Sequence, residues 1–279
     1  MLTNQDLNQE IIQNWLSDLP IGEIQYFSQV SSTNDIALNW VNKGAKDFSL
    51  VIANEQTAGR GRGNRKWFTT ANAAIAFSII LIPSQFPLSH LTRISALGSL
   101  AVCIALERLS SDLSVSMKWP NDVLINNKKT AGVLVEASWT ANKPDYIVLG
   151  IGVNITPDAI PPTEMLQFPA TCVNMELPRE VNRLRILKDI IQQLLYWRDR
   201  LDTHDFIKAW QDHLAFKGQK VTVFHPHAQK QNKETTGILI GLTPEGFLKL
   251  QLANGKLFVL QDGDVHLRPL TAHENTLNL

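Results

Sequence analysis

The sequence predicts an α+β fold in which a larger domain of helices and strands is followed by a small β-barrel. Helical periodicity and apolar strand-like runs are interspersed up to about residue 215, and 279 residues suffice for one large and one small domain. Beyond that point only short alternating runs follow. Asn254-Gly255 is a strong hairpin signal there, because both residues tolerate positive φ. We therefore predict two domains, residues 1–215 and residues 216–279.

The segments up to residue 69 are predicted from apolar spacing and from turn residues. Ser32 to Asp35 offer N-caps and acidic first-turn charge to a helix that Gly44 closes. The predicted elements, in order, are a short helix before Pro20, a strand at 24–30, a helix at 32–44, a strand at 48–54 and a loop at 55–69.

The rest of the larger domain begins with an apolar run, 73–82, that is typical of a buried strand. A hairpin is predicted around the polar turn 126–129, and four prolines favour a loop over 156–170. The other predicted elements are a helix at 89–110, a strand at 145–155 and two helices within 180–216.

Composition and charge exclude several classes of protein. Lys plus Arg (26) equals Asp plus Glu (26), and the zero net charge argues against broad nucleic-acid binding. Cys103 and Cys172 make neither a disulfide framework nor a zinc motif. The N-terminus lacks the basic and apolar regions of a signal peptide, and the longest apolar stretch is too short to span a bilayer. We expect a soluble cytoplasmic protein without a membrane partner.

Residues 55–67 form the most informative segment. Four cations and three glycines fall within 59–67, so backbone N–H groups can approach a ligand closely while arginines supply forked donors for carboxylate or phosphate oxygens. A solvated basic loop is the alternative, but the position between two apolar strands favours a site. Known phosphate loops do not fit: Asn64 stands where Walker A needs glycine, and Ile155 replaces the third glycine of a dinucleotide fingerprint.

Three further segments carry candidate residues. Lys118 to Asp122 is followed by Lys128 to Gly132, so that Asp122 can accept from a lysine or hold a metal, although each lysine alone is typical of a surface charge. The glycines of Gly150 to Asn154 indicate close approach by a ligand or by another part of the chain. The segment Ser31 to Asn34 is typical of a helix N-cap, and a capping role is compatible with contact to a ligand.

Together these segments resemble the biotin–protein ligases. The family's S-T-N, E-Q-x-A-G-R-G-R-x-x-R-x-W, K-W-P-N-D, K-x-A-G-[IV]-L-V-E and G-[IL]-G-[IVL]-N motifs all stand here in the family's order. The resemblance implies a mixed-sheet catalytic domain of the class II aminoacyl-tRNA-synthetase/biotin-ligase type and a small SH3-like C-terminal β-barrel. No single segment would be enough to indicate this family, but the combination of all five motifs is.

The resemblance also implies a two-step reaction. Biotin and ATP form biotinyl-5′-AMP with the help of Mg²⁺, and a lysine of the biotin carboxyl carrier domain of acetyl-CoA carboxylase then takes the biotinyl group. Two anions must meet in the first step, so the site has to neutralise both, and the adenylate has to be shielded from water. A homodimer stays open as an alternative to a monomer.

The resemblance assigns roles by position. Lys129, Arg62 and Asp122 are the implied catalytic residues, with Asp122 either orienting Lys129 or holding Mg²⁺. The implied biotin-binding residues are Ser32, Thr33, Asn34, Gln56, Arg60, Gly61, Arg62, Lys129, Gly132, Gly150 and Gly152. The implied ATP- and adenylate-binding residues are Arg62, Arg65, Trp67, Lys118, Asn121 and Asn154.

Three alternatives bear on this interpretation. Members that double as repressors carry an N-terminal DNA-binding domain, whereas only about 20 residues precede the first strand here, so no DNA binding is expected. A lipoate–protein ligase shares the fold and the adenylation chemistry, but the G-R-G-R-x-x-R-x-W run favours biotin. An RNA-binding module is disfavoured by the balanced charge and by the few aromatic residues after 216.

Overall fold

A computed structural model describes residues 7–63, 65–85, 91–140, 143–177, 179–224, 234–261 and 266–269. The helices are α1 Gln9–Leu16, α2 Thr33–Val41, α3 Thr92–Glu107, α4 Val173–Glu176, α5 Arg183–Arg198 and α6 His204–Asp212. The first seven strands are β1 Ile24–Phe27, β2 Leu50–Ala53, β3 Ala74–Leu81, β4 Val115–Lys118, β5 Asp122–Ile125, β6 Lys128–Thr140 and β7 Lys143–Asn154. The remaining strands are β8 Lys220–Phe224, β9 Glu234–Leu242, β10 Leu248–Gln251, β11 Leu257–Leu260 and β12 His266–Pro269.

A seven-stranded mixed sheet forms the framework of the larger unit. Its strand order is β1-β2-β3-β7-β6-β5-β4; β1 and β2 run parallel, and every other neighbouring pair is antiparallel. The predicted strands and long helices are confirmed, with shifted ends: β6 and β7 are longer than expected and α3 is shorter. The predicted loop 156–170 contains two short 3₁₀ turns, Pro157–Ala159 and Thr163–Met165. No described helix is both long and apolar enough to cross a membrane.

The interior strand β3, which lies between β2 and β7, is buried on both faces, and this explains its continuous apolar run. Phe77 and Ile79 belong to the large core that also contains α3 and α5, whereas Ile80 packs with Ala37 of α2 and Val148 of β7. Successive side chains of a strand point to opposite faces, so α2 covers one face of the sheet and α3 with α5 covers the other. Each large side chain buried in this way contributes about 1.5–3 kcal/mol. The candidate site lies on the α2 face.

The turn between β5 and β6 is a two-residue hairpin. Asn126 and Asn127 both have positive φ (50° and 61°), as a type I′ turn requires. Glu176 of α4 anchors this turn. Its carboxylate accepts hydrogen bonds from Asn126 Nδ2 (2.6 Å), Lys128 Nζ (3.1 Å) and Thr171 Oγ1 (2.6 Å). The side chain of one helix thereby fixes the start of β6, which carries several candidate residues.

The C-terminal strands form a second, five-stranded antiparallel sheet in the order β11-β10-β9-β8-β12. The hairpin predicted at Asn254-Gly255 is confirmed, and Gly255 has φ +77°. This sheet contacts the larger unit directly, since Trp119 Nε1 donates to Gly246 O (3.1 Å) and Arg93 donates to Pro244 O (2.8 Å). Parts of the predicted second domain, including 225–233 and 270–279, lie outside the described residues.

The anchor at Glu176 generates a pH-dependent prediction. Burial acts to raise the pKa of Glu176, but hydrogen bonds from Thr171, Asn126 and Lys128 hold it below its usual value. The carboxylate therefore stabilises the fold above the unfolded pKa, and this contribution is lost as pH falls through the folded pKa. We expect Glu176→Gln to lower the free energy of unfolding by about 1–2 kcal/mol at pH 7.

Urea denaturation from neutral to acidic pH measures this effect. The difference between wild type and Glu176→Gln should close as pH falls through the folded pKa of Glu176, which lies below its usual value, because the native carboxyl then takes up a proton. Glu180→Gln is the matched control, since Glu180 is an exposed neighbour in the same segment. A difference that stays constant with pH would show that the charge of Glu176 is not what stabilises the turn.

Candidate functional site

Two adjoining cavities lie on the α2 face of the mixed sheet, beside the Gly- and Arg-rich segment 55–67, here called the Gly/Arg loop. The larger has a volume of about 290 Å³ and the smaller about 50 Å³. The smaller is lined by Ser32, Thr33, Asn34, Gln56, Arg60, Gly61, Trp67, Asn121, Lys129, Gly132, Val133, Leu134, Gly150, Ile151 and Gly152. The walls of the larger include Gly61, Arg65, Trp67, Lys118, Asn121, Asp122, Lys129, Asn154 and residues from the loop 159–170. The structure therefore gathers all but one of the residues to which the resemblance assigns a catalytic or binding role, and Arg62 is the exception.

The N-terminal turn of α2 forms one wall of the smaller cavity. Ser32 occupies the N-cap position, but its side chain makes no capping bond, so the expected side-chain cap is not formed. The backbone N–H and Oγ1 of Thr33 instead donate to Gln56 Oε1, at 2.8 and 3.1 Å. Gln56 Nε2 donates in turn to Thr69 Oγ1 (3.0 Å). The polar groups of this helix end are thus committed to an ordered network beside the cavity, as buried polar groups require.

Asn34 lies at the centre of this network. Ser78 Oγ lies 2.6 Å from Asn34 Oδ1, and Asn34 Nδ2 donates to Glu136 Oε2 (2.6 Å). A side chain at Gly150 would collide with the Asn34 amide, which gives Gly150 a physical reason to be glycine. The close approach predicted at this position is therefore made by another side chain of the same protein.

Trp67 forms the partition between the two cavities. Its indole packs so closely on Gly152 and Gly132 that a Cβ on Gly152 would overlap the ring. The start of the loop is held to the tryptophan by a hydrogen bond from Trp67 N to Gly59 O (2.9 Å). Trp67 Nε1 is buried and has no hydrogen-bond partner within the described part of the chain. Buried donors without a partner are rare in folded proteins.

Lys129 lies where the cavities meet. Its Nζ is 2.5 Å from Asp122 Oδ1, and it contributes to the walls of both cavities. The register between β5 and β6 shifts here, because Lys129 pairs with Leu124 and Ala131 with Val123, leaving Thr130 extra. A bulge of this kind re-aims neighbouring side chains. The bulge directs the side chain of Lys129 toward Asp122, on the same face of the sheet as Gly132.

Asp122 is buried between two ammonium groups. Lys118 Nζ lies 3.5 Å from Asp122 Oδ2, and it also sits 4.3 Å from the centroid of the Phe168 ring. Burial acts to raise the pKa of Asp122, but the charges of Lys129 and Lys118 outweigh it and hold that pKa below its usual value. Burial lowers the pKa of Lys118, against the opposing charge of Asp122. The group as a whole carries one carboxylate and two ammonium groups.

This arrangement bears on the alternative roles of Asp122. Both of its oxygens face lysines, Lys129 on Oδ1 and Lys118 on Oδ2. A magnesium ion here would have to compete with two ammonium groups for one carboxylate, in a cluster that already has more cations than anions. Asp122 therefore does not fit a magnesium ligand here, and the geometry favours its other predicted role, the orientation of Lys129.

The loop 156–170 forms a wall that the sequence did not predict to be part of the site. Lys129 N donates to Pro169 O (2.7 Å), and Thr171 N donates to Lys129 O (2.9 Å), so the end of the loop pairs with the lysine backbone. Ala159, Pro161, Met165, Leu166 and Phe168 from this loop line the larger cavity, and Asn154 donates to Thr171 O. A proline-rich loop carries no pattern that would reveal this contact.

The Gly/Arg loop divides its arginines between different places. Arg65 lines the larger cavity, and its Nε donates to Arg62 O (2.7 Å). Arg60 NH2 donates to Asp35 Oδ1 (2.6 Å) and to Glu136 Oε2 (2.9 Å). Arg62 lines neither cavity; it borders a separate groove beside Trp119. Asn64, in the same loop, lies outside the described residues.

Several residues of the site were missed in the sequence. Glu136 stands inside the K-x-A-G-x-L-V-E run but was assigned no role, although it bonds both Asn34 and Arg60. Ser78 did leave a signal, because it is the single polar residue within the apolar run 73–82. Phe168 left none, since its contact with Lys118 depends on how the loop folds over the sheet.

The chain is similar to known proteins in sequence and in structure. Residues 26–154 match the Biotin/lipoate A/B protein ligase family. The biotin–[acetyl-CoA-carboxylase] ligase of Paracoccus denitrificans is 31% identical over 235 residues, which cover 82% of this chain and 94% of that protein. The ligase of the same description from Mycobacterium tuberculosis is 30% identical over 256 residues, covering 88% and 90%.

A solved structure gives the same result. The biotin protein ligase from Aquifex aeolicus, in complex with biotin and ATP, matches with a TM-score of 0.73 at 26% identity and covers 89% of this chain and 99% of that one. This match confirms the predicted fold class, a biotin-ligase-type mixed sheet with a small C-terminal β domain. With relatives of this identity and coverage, the chain belongs to the biotin protein ligase family.

Proposed function

We propose that this chain activates biotin with ATP as biotinyl-5′-AMP and transfers the biotinyl group to a lysine of the biotin carboxyl carrier domain of acetyl-CoA carboxylase. The observation that carries the proposal is the position of Lys129, whose ammonium group is shared by the two cavities. A carboxylate bound in one cavity and a phosphate bound in the other both reach this cation. Activation of an acid by ATP requires such a meeting point.

The two cavities divide the substrates. The smaller, lined by polar groups of α2 and by Gly132, Gly150 and Gly152, suits a compact ring with hydrogen-bonding edges. The larger, with Arg65, Lys118 and the loop 159–170 on its walls, suits a nucleotide. The similar ligase from Aquifex aeolicus is in complex with biotin and ATP, and this supports the same pair of substrates here.

The first step forms an anhydride. A biotin carboxylate oxygen attacks the α-phosphorus of ATP, the bond from that phosphorus to the bridging oxygen breaks, and pyrophosphate leaves. Lys129 reduces the repulsion between the two anions, while Asp122 holds its ammonium group at the junction. Lys118 and Arg65 add positive charge on the nucleotide side.

The second step transfers the biotinyl group. The neutral ε-amine of the acceptor lysine attacks the carbonyl carbon of the adenylate, the bond from that carbon to the phosphate oxygen breaks, and AMP leaves with its negative charge. The new amide loses one proton to solvent. An adenylate that waits for its acceptor has to be protected from hydrolysis, which gives the Gly/Arg loop its function as a cover.

Magnesium, compartment and assembly belong to the same proposal. The residues around Asp122 do not fit a protein-held magnesium ion, so we assign Mg²⁺ only to the ATP phosphates, as part of the nucleotide substrate. The buried cysteines Cys103 and Cys172 suit a reducing compartment such as the cytoplasm. A homodimer is compatible with these features, and the oligomeric state can be measured by sedimentation.

One experiment tests the proposed reaction. The purified chain is incubated with MgATP, an apo carrier domain and either biotin or lipoate, and products are followed by mass spectrometry. We expect biotinyl-5′-AMP without the carrier and a biotinylated lysine with it. Transfer of lipoate alone would move the assignment to the lipoate ligases, and the absence of any adenylate would refute the proposed function.

Lys129→Ala tests the shared cation. We expect adenylate formation to slow by about 10²–10³-fold, because a preorganised charge at the reacting atoms is lost. A pyrophosphate-release assay measures the rate. Lys128→Ala is the matched control, because Lys128 is the adjacent lysine on β6, is paired with Glu176 and lines neither cavity. Equal rates for the two variants would contradict the role of Lys129.

Gly152→Ala tests the partition. The added methyl group overlaps the indole of Trp67, so the ring must move and both cavities change shape. We expect the KM values for biotin and for ATP to rise by about tenfold or more. Adding Trp67→Phe should cause little further loss, because the two changes act on one contact. Unchanged KM values in Gly152→Ala would show that the indole position does not matter.

Arg62→Gly tests the loop as a cover. In the described conformation Arg62 lies outside both cavities. Its implied role in holding the adenylate therefore requires the loop to move Arg62 to the cavities when the adenylate is present. We then expect the adenylate to leave the variant about tenfold or more faster and to label added amines. Arg179→Gly, an exposed loop arginine away from the cavities, is the control. Equal adenylate off-rates would exclude this role.

A further inference from the structure

Arg60 has an electrostatic setting different from that of the other cations of the site. Its NH2 group donates to Asp35 Oδ1 (2.6 Å) and to Glu136 Oε2 (2.9 Å), so one positive charge faces two negative ones. A ligand carboxylate or phosphate approaching Arg60 would meet net negative charge. Arg60 is therefore poorly placed to bind an anion, in contrast with Lys129, which shares its carboxylate with a second cation.

Glu136 connects this ion pair to the smaller cavity. The carboxylate oxygen that accepts from Arg60 also accepts from Asn34 Nδ2 at 2.6 Å. That bond fixes the amide of Asn34 with its nitrogen toward Glu136 and its oxygen toward Ser78. Rotation of the Asn34 amide would exchange the positions of its donor NH₂ group and its acceptor oxygen. Because the Glu136 carboxylate only accepts hydrogen bonds, it keeps the NH₂ group turned toward itself and the oxygen turned away.

The strand geometry explains why Glu136 reaches both partners. Gly132 and Leu134 of β6 line the smaller cavity, and Glu136 follows on the same face because side chains of a strand alternate. The first turn of α2, which carries Asn34 and Asp35, lies over this face. Glu136 thus stands where a strand, a helix end and the Gly/Arg loop come together.

We propose that Glu136 is a positioning residue of this enzyme: with Asp35 it holds Arg60, and through that pair it sets both the resting place of the Gly/Arg loop and the hydrogen-bonding direction of Asn34. The ion pairs of Arg60 with Asp35 and Glu136, here called the clasp, then hold the loop in place. In this role Arg60 does not neutralise substrate charge. The inference rests on the proposed function, because it assigns the smaller cavity to biotin.

The partial exposure of the group determines which effect should be seen. The side chains of Arg60, Asp35 and Glu136 are 41%, 40% and 27% exposed, and ion pairs of this kind contribute little to global stability. Glu136→Gln should therefore leave the melting temperature almost unchanged. Its effect should fall on the binding of the non-reacting part of biotin, which appears in KM and leaves kcat in place.

The first test is the kinetics of Glu136→Gln and Arg60→Gln in adenylate formation. We expect the KM for biotin to rise about tenfold in each variant, with kcat and the KM for ATP within about twofold of wild type. The double variant should be no worse than either single one, because both remove the same clasp. Glu23→Gln, which breaks the exposed pair with Lys46, is the matched control.

Three kinetic results would overturn the inference. The first is a biotin KM within about twofold of wild type in Glu136→Gln, and the second is a double variant whose losses multiply as for independent sites. The third is a fall in kcat for Arg60→Gln alone, which would show that Arg60 neutralises substrate charge. If wild type itself makes no biotinyl-5′-AMP, the proposed function fails; if wild type does and the variants behave like it, only this inference fails.

A second readout needs no catalysis. In the ligand-free protein, the clasp should protect the loop from trypsin at Arg62, Arg65 and Lys66, because cleavage requires the loop to leave its resting place. We expect Glu136→Gln to be cut there several-fold faster than wild type and Glu23→Gln, with mass spectrometry locating the cuts. Equal cleavage rates in all three proteins would show that Glu136 does not hold the loop.

Discussion

The site depends on one arrangement of charge, a buried carboxylate with an ammonium group on each of its oxygens. Asp122 is held between Lys129 and Lys118 at the boundary of two cavities. A lone buried lysine would lose its charge, and a lone buried carboxylate would become protonated. The opposite charges in the cluster offset part of the desolvation of Asp122 and Lys118, and two cations face one carboxylate at the point where two anionic substrates have to meet.

Small residues and one large one shape the space around that charge. The indole of Trp67 lies on Gly152 and Gly132, and the amide of Asn34 lies on Gly150. A methyl group at Gly150 or Gly152 would displace the side chain that defines the wall. The glycines of β6 and β7 therefore act through the packing of other side chains, which in turn form the cavity surface. The Gly/Arg loop is likewise fastened to the sheet through Arg60 and Glu136.

Most of the fold could be predicted from local patterns. The apolar run 73–82 predicted the buried strand β3, and the polar turn 126–129 predicted a hairpin, because each depends on the local residues. Element ends were less predictable. The side chains of Ser32 and Thr33 were expected to cap a helix, yet Thr33 bonds Gln56, a partner that only the folded chain brings close. The sheet order, too, has no local signature.

For the candidate site, the sequence by itself determined the chemistry: which cations, glycines and amides the protein has, and the order in which they occur. The tertiary structure decided their pairing. It placed Lys129 on Asp122 through a bulge, folded the loop 156–170 over it, set Arg60 against Asp35 and Glu136, and left Arg62 outside both cavities. The physical reason is that residue type fixes charge and hydrogen-bonding capacity, whereas the partner of each charge depends on contacts between segments far apart in the chain.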